Sequence, residues 1–571
     1  MSSKKKSKSK SAVSRNQVEN QTKTLETIQK KNKFETIISN IICVLTFISF
    51  GYIALMSFFQ TSVFDAAKFT SEVINYETDI VGLNILFTVL FGVFLFAMKR
   101  TYNFFAKINI KFIEAAMVVI VIILGLVWIN AVTSIPAADS YNLYEAAIDA
   151  TRNTYKSMLN GGNFYNHEFY NNYSYFNFYP FQLGFVFFSE IVYRIFGTAN
   201  SLPVQTINVL CVGFAYLAIA RITRLLFKKL SIEFLSIMLL LACLQPVFFT
   251  TFAYGNIIGM CFSLWASYFL IKYFKTGKYT LLIPCGLMLV FAIFVKYNNL
   301  IVLVAFAIML IVHTVKMKKW QSIAFALALC LASVGAKSLV VMSYEARANT
   351  EFTDGVSQVL YLDMGLTESY MAPGWYTTTG KDIYIQSQLD TQTANQRGWE
   401  DINTKLKKFS NINYSVDFFS KKILSQWNEP SFESIWVSQV KSHIRPVDNG
   451  LGAAIYSGSP GQLIKLWFNL YVQILYLSFA IGMYLLLIRK KTNIETMLLP
   501  LIILGGFGYH LLFEGKSQYI LTYIIMLIPT ASYAIHKILY SDYSKLKEII
   551  AKIGNIPDKK IKNSASDPVQ Q

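Results

Sequence analysis

Long apolar runs broken by short polar joints set the pattern of this chain from residue 37 to residue 538. Twelve runs stand out, at about 37–59, 80–98, 113–131, 204–227, 233–252, 257–274, 280–295, 299–315, 320–343, 466–488, 496–513 and 518–538. Each approaches the roughly 17–25 apolar residues that cross about 30 Å of hydrocarbon as a helix. A thirteenth piece, about 181–197, is shorter and carries Glu190 and Arg194. The pattern predicts an all-α polytopic membrane protein with about 12–13 transmembrane helices. Between the ninth and tenth runs lie about 120 mostly polar residues, 344–465, with turn-like clusters such as MAPGWYTTTG (371–380) and a helix-like patch at 403–412. They read as a small subdomain or lid inserted between two helices. No internal repeat is evident.

Composition agrees. Of 571 residues, 54% are hydrophobic and only 15% charged, against roughly 25% charged in soluble domains. The net charge of +19 raises nucleic acid as a partner, but its distribution argues against one. Lysines crowd the first 33 residues and the joints KRTYNFFAKINIK (99–111), FKKLS (227–231), KYFKTGK (272–278), KMKK (316–319) and RKK (489–491). Basic joints mark the cytoplasmic side, so both termini are expected inside. These assignments agree only if 181–197 does not complete a crossing or another segment is miscounted, and a half-inserted or surface helix is expected at 181–197. The resulting division is a basic cytoplasmic tail (1–36), a first membrane region (37–343) with an outer loop at 132–180, the extracytoplasmic subdomain (344–465), the last membrane helices (466–540) and a cytoplasmic tail (541–571). All six cysteines fall in apolar runs and read as buried small hydrophobes, with no metal-site spacing.

Four regions then share the outer face: 132–180, the junction at Lys296, 344–465 and the hairpin FEGKSQY (513–519). The outer loop opens TSIPAADSYNLYEAAIDATRN (133–153). A helix is expected from Ser140, with Asp139 or Ser140 as N-cap. Asp139 is then either only a cap or a carboxylate at the lipid–water boundary. In the second case it could accept a proton from a hydroxyl nucleophile or hold a divalent cation against a phosphate. Residues 163–181 contain ten Phe or Tyr interleaved with Asn163, Asn166, Asn171, Asn172 and Asn177. Such a belt is either an ordinary interfacial girdle or a surface that covers a sugar's C–H face and bonds its hydroxyls. His167 and Glu168, inside it, are weaker candidates with a structural alternative. Lys296 and Lys337 place ammonium groups at membrane depth, where snorkelling or phosphate binding would account for them. Glu514, Lys516 and Tyr519 face the same compartment.

The order of these features resembles the GT-C class of integral-membrane glycosyltransferases, which includes protein O-mannosyltransferases and lipid A aminoarabinose transferases. The class pattern is an early span, an outer loop with an acid near its start, and a Tyr-Pro entering an apolar segment that ends in Phe-Gly. Here these read AADSYNLYEAA and FYPFQLGFVFFSEIVYRIFG (178–197), with Tyr179 in the Tyr-Pro. QPVFFTTFAYGN (245–256), the Lys296 junction and the Glu–basic–Tyr hairpin at 513–519 continue the series. The chain departs from the pattern by two additional spans before the acidic loop and by the lack of an acid near 254–256. The resemblance implies a polyprenyl-phosphate-sugar donor and transfer to an extracytoplasmic glycan, lipid or protein acceptor. It makes Asp139 the base or the residue that orients the acceptor, and Lys296 and Lys516 candidates for the donor phosphate. Trp375, Tyr376, Trp399, Trp427 and Trp436 would shape the acceptor site. A polysaccharide polymerase or ligase, a lipid-linked-glycan transporter and a non-catalytic scaffold are the alternatives.

Overall fold

The computed structural model describes residues 33–65, 72–105, 107–162, 167–441 and 450–541. The basic tail expected over 1–36 falls outside them up to residue 32, as does the C-terminal tail from 542. Among the described residues, nine helices are long and apolar enough to cross a membrane. A bent pair, Leu230–Ala242 with Gln245–Thr251, adds a tenth, and the shorter apolar helices Val81–Ala97 and Tyr279–Val295 fall on two more of the expected runs. Every stretch chosen on hydropathy is helical, and the protein is a multi-pass helical membrane protein.

The bent pair has a physical cause. Its two arms meet at 43°, where Cys243 leaves the helical region (ψ 87°) and Pro246 opens the next turn without an amide hydrogen. The carbonyl freed at Cys243 accepts a hydrogen bond from Tyr216, and Gln245 donates to the Pro430 carbonyl at 3.0 Å. A broken helix is tolerated at membrane depth only when its backbone is re-satisfied in this way.

The segment at 181–197 does not cross. Its helix, Leu183–Phe196, has 14 residues and is roughly 21 Å long, short of the hydrocarbon thickness. Gln205, at the start of the next span, donates to the Ser134 carbonyl at 3.0 Å and the Thr251 carbonyl at 2.9 Å. The chain therefore leaves after Ile110–Val132 and returns for Leu202–Phe227 at the same end of the bundle.

Two features at that end depart from expectation. First, Gln60–Phe64 and Ile74–Thr78 pair as antiparallel strands; neither was expected on the outer face. The Ser62 amide donates to the Asn428 carbonyl (2.9 Å) and the Ile74 amide to the Met371 carbonyl (3.0 Å), pinning the 344–465 region. Second, the patch at 403–412 is not one helix. Thr391–Phe409 ends there, and Asn411 caps Ile412–Trp427 by accepting from the Asn413 and Tyr414 amides. Trp375 and Trp427 are fully buried, with Trp427 edge-on to Phe50 at 5.2 Å, so neither is available to line an acceptor site.

Candidate active site

The helix Asp139–Thr151 begins with Asp139 itself. The expected N-cap is wrong for both candidates: Ala138 occupies that position with φ 50° and ψ −134°, and no side chain caps the helix. Ser140 instead donates to the Ala137 carbonyl at 2.8 Å. A left-handed alanine costs about 1–3 kcal/mol and persists only where surrounding packing imposes it. Asp139 is exposed and does not serve as that helix's N-cap.

The far end of that helix explains the charges in the half-inserted segment. Arg194 donates to the Ala150 carbonyl (2.7 Å) and the Thr151 carbonyl (3.2 Å), capping the helix C-terminus. Glu190, buried, holds Arg194 at 2.8 Å, Arg347 at 2.8 Å and the Tyr344 hydroxyl at 2.6 Å. This ion network thus fixes the helix that carries Asp139.

The aromatic belt is packed rather than open. Tyr170, Tyr175, Phe176 and Phe178 are all nearly or fully buried. Asn171 and Asn172 adopt left-handed turns (φ 52° and 61°), and Asn177 accepts from Thr353 through its own carbonyl at 2.5 Å. Asn163 and Asn166 lie outside the described residues. The belt's amides close turns and join segments, which corrects the expectation of a displayed sugar platform. Its tyrosines nevertheless face the site. Burial, and then the charge of Asp139, push the Tyr170 and Tyr175 phenols well above their ordinary range. Tyr179 shifts the same way, chiefly through burial and the neighbouring phenols. All three are neutral O–H groups around the carboxylate.

Lys296 feels the charge of Asp139. Its ammonium lies 4.0 Å from the centre of the Tyr254 ring and 6.0 Å from that of Tyr519. Among the described residues no carboxylate is within ion-pair distance of it. Burial pushes Lys296 down to about 7, against the opposing charges of Asp139 and Glu514. The junction is held by close backbone approach: a β-carbon on Gly255 would stand 2.0 Å from the Val295 carbonyl oxygen, and one on Gly184 1.9 Å from that of Phe294. Gln182 donates to the Tyr254 hydroxyl and orients the ring beneath the ammonium.

The hairpin at 513–519 completes the cluster. Tyr519 donates to Glu514 at 3.4 Å and stacks on His510 at 5.2 Å. The Glu514 amide donates to the Tyr361 carbonyl (3.1 Å), and the Gly515 amide to the Gly374 carbonyl (3.0 Å). Burial raises the Glu514 carboxyl, Lys516 counters, and Asp139 and Glu72 raise it further. Lys516 is paired with Glu72 and is held above its ordinary range by Glu72, Glu433 and Glu514, which outweigh its burial. Its charge is thus committed to protein carboxylates, unlike that of Lys296. Beneath lie the buried acids Glu429 and Glu433, the latter accepting from Ser517 and the Gln518 amide at 3.2 Å each.

Two candidates fall elsewhere. Lys337 stands 5.3 Å from the Tyr297 ring. His167 and Glu168 sit on a surface turn, where His167 bonds the Asn172 side chain at 2.9 Å. Among the described residues no three His, Cys, Asp or Glu side chains are placed to hold a metal ion. The sequence reading missed Tyr254, Gln182, Tyr361, Glu72, Glu433 and Lys422. Lys422 had a signal in retrospect: it is fully buried on an otherwise amphipathic helix, donating to the Gly365 and Phe513 carbonyls at 2.5 and 2.8 Å.

Residues 182–336 match the family described as dolichyl-phosphate-mannose-protein mannosyltransferase. The match contains the half-inserted helix, the 245–256 segment and the Lys296 junction, and it bears out the resemblance to GT-C glycosyltransferases. No curated protein matches the chain. Among solved structures, the oligosaccharyltransferase AglB from Archaeoglobus fulgidus, in complex with an inhibitory peptide and a dolichol-phosphate, aligns at 12% identity over 81% of this chain and 53% of its own, with a TM-score of 0.38. The A. fulgidus oligosaccharyltransferase complex with zinc and sulfate aligns at 12% identity, covering 77% and 51%, with a TM-score of 0.38. ArnT from Cupriavidus metallidurans in the apo state aligns at 14% identity, covering 73% and 77%, with a TM-score of 0.28. The chain spans about half the length of the archaeal proteins it matches.

Proposed function

We propose that this chain is a glycosyltransferase that moves a sugar from a polyprenyl-phosphate donor to an extracytoplasmic acceptor. The observation that supports the reading is Lys296, whose ammonium has rings but, among the described residues, no carboxylate at contact distance, and which feels the charge of exposed Asp139. Asp139 accepts the proton of an acceptor hydroxyl as that oxygen attacks the anomeric carbon. The bond from that carbon to the phosphate oxygen breaks, and the departing lipid phosphate takes the electron pair. Lys296 stabilises the charge that develops there, in a partly buried setting where a cation acts more strongly than in water. The tyrosines around Asp139 supply hydroxyl donors for sugar or phosphate oxygens.

Orientation follows the basic joints: the site end is extracytoplasmic, both termini are cytoplasmic, and 344–465 is an outer subdomain between two membrane regions. A membrane-carried donor suits that side, where no activated nucleotide sugar is at hand. The divalent cation raised by the sequence has no arranged ligand set among the described residues, so no step is assigned to one.

The test uses membranes containing the full chain and a radiolabelled polyprenyl-phosphate sugar. Label should enter an acceptor fraction, and Asp139→Asn should lower the rate by about 10²–10⁴-fold, the range of a general base. Undiminished transfer by that variant removes the base assignment, and passage of label across the membrane without covalent product makes the protein a carrier. For orientation, cysteine at exposed position 168 in a cysteine-free background should react with an impermeant thiol reagent in unpermeabilised cells. Reaction only after permeabilisation inverts the topology.

A further inference from the structure

Beside the site, the 344–465 region carries an open cleft of about 760 Å³, within the range of small-ligand sites. One wall is a single face of the helix Thr391–Phe409, on which Gln392, Gln396 and Trp399 follow at i, i+4 and i+7, with Asn395 beside them. Asp354 also lines the cleft, and Asp390 lies at the helix start. Trp399 is 48% exposed, whereas Trp375 and Trp427 are interior. Asp390 is used locally, accepting from the Thr393 amide at 2.7 Å, and Asn395 accepts from Ser357. Gln392, Gln396 and Asp354 remain solvent-facing.

The cleft is joined to the site. The Thr353 hydroxyl donates to the Asn177 carbonyl at 2.5 Å, and the Val356 amide donates to the Phe178 carbonyl at 2.9 Å. Asn177 and Phe178 lie between Tyr175 and Tyr179, two of the tyrosines that feel the charge of Asp139. Thr353, which lines the cleft, is thus bonded to the segment that carries those tyrosines.

We propose that this cleft binds a carbohydrate unit of the acceptor, so that the acceptor is a glycan and not a peptide. An indole face covers the apolar C–H face of a pyranose, and neighbouring amides both donate to and accept from its hydroxyls. The cleft offers that pair of groups on one rigid helix face, and the carboxylate of Asp354 can accept further hydroxyl bonds. This inference rests on the transferase reading above, which would make the bound glycan the acceptor.

Detergent-solubilised full-length protein, without donor, is passed over an array of immobilised neutral and N-acetylated oligosaccharides and Ser/Thr-rich peptides. Retention on a subset of the glycans is expected. Trp399→Ala should weaken it at least tenfold, Gln396→Ala a few-fold, and Trp399→Phe should keep most of it. Retention on the peptides alone, on nothing, or on glycans regardless of Trp399 overturns the proposal. Transfer of labelled sugar in membranes is measured in parallel. If transfer occurs while glycan retention ignores Trp399, the cleft assignment alone falls. If retention depends on Trp399 but no sugar is transferred, the cleft stands as a glycan site and the transferase reading falls.

Discussion

Buried ion pairs at one end of the helical bundle and Lys296 at the other treat charge in opposite ways. At the end where the helix Lys33–Met56 begins, Glu35 pairs with Lys316 at 3.0 Å and Glu114 with Arg221 at 2.5 Å. At the other end Lys296 lies over tyrosine rings with no carboxylate at contact distance among the described residues, while Asp139 and Glu514 act on it from farther off. A local pair satisfies both charges and leaves nothing for a ligand. An ammonium held off its counter-charges keeps its field for an incoming anion, at a cost in desolvation. Paired charge therefore reads as architecture, and separated charge as function.

The largest effect expected from this contrast is on Lys296. Lys296→Met should lower sugar transfer by about 10²–10³-fold, the loss seen when one stabilising group at a developing oxyanion is removed. Its melting temperature should hold or rise, because a desolvated cation has been taken away. Lys316→Met should do the reverse, leaving Glu35 buried and alone. That should cost about 3–5 kcal/mol of stability, read as a fall in melting temperature in detergent, with transfer per folded molecule unchanged. Equal destabilisation by the two substitutions would erase the distinction between the ends.

How much of this was legible beforehand differs between the elements. The spans were readable because about twenty consecutive apolar residues have few alternatives to a helix in lipid. Asp139, Lys296 and the 513–519 hairpin were readable because charge beside a span is costly and therefore conspicuous. Glu72 was missed because it precedes a strand whose INYET alternation is too brief to stand out, and its partnership with Lys516 joins residues 444 apart. Glu433 was missed because its burial is created by folding of the 344–465 region, and the stretch around it reads as ordinary polar loop. Burial also turned the aromatic belt from a displayed surface into packing, a change that residue types alone do not encode.

The acidity of Lys296 sharpens the contrast through pH. Its folded value of about 7 lies below the ordinary lysine value of about 10.4. Between those two values the unfolded chain holds one more proton than the folded one, so the Lys296 contribution makes stability rise with pH across that window. The charged form is the one that stabilises the lipid phosphate, so activity should fall as pH rises through about 7. The basic limb of kcat/KM should lie there, and that of kcat should move to higher pH, because the bound phosphate favours the ammonium. Lys296→Arg should remove the limb from this range. A limb that stays near 7 in the arginine variant belongs to another group.

The smallest effect belongs to the pair that sequence proximity made attractive. His167 and Glu168 lie in the aromatic belt within the same outer loop as Asp139, and a His beside a Glu invites an acid–base role. The fold gives them other work. His167 bonds the Asn172 side chain within a five-residue turn, and the next residue, Phe169, offers its carbonyl to Lys381 at 2.7 Å and its ring to the same ammonium at 3.9 Å. The turn anchors the 344–465 region while Glu168 points to solvent. His167→Ala with Glu168→Gln should therefore change transfer by less than about threefold and stability by about 1 kcal/mol, the worth of one partly exposed hydrogen bond. A loss near that of Lys296→Met would place a second proton carrier in the belt, and chemistry at this end would no longer be confined to the groups gathered around Asp139.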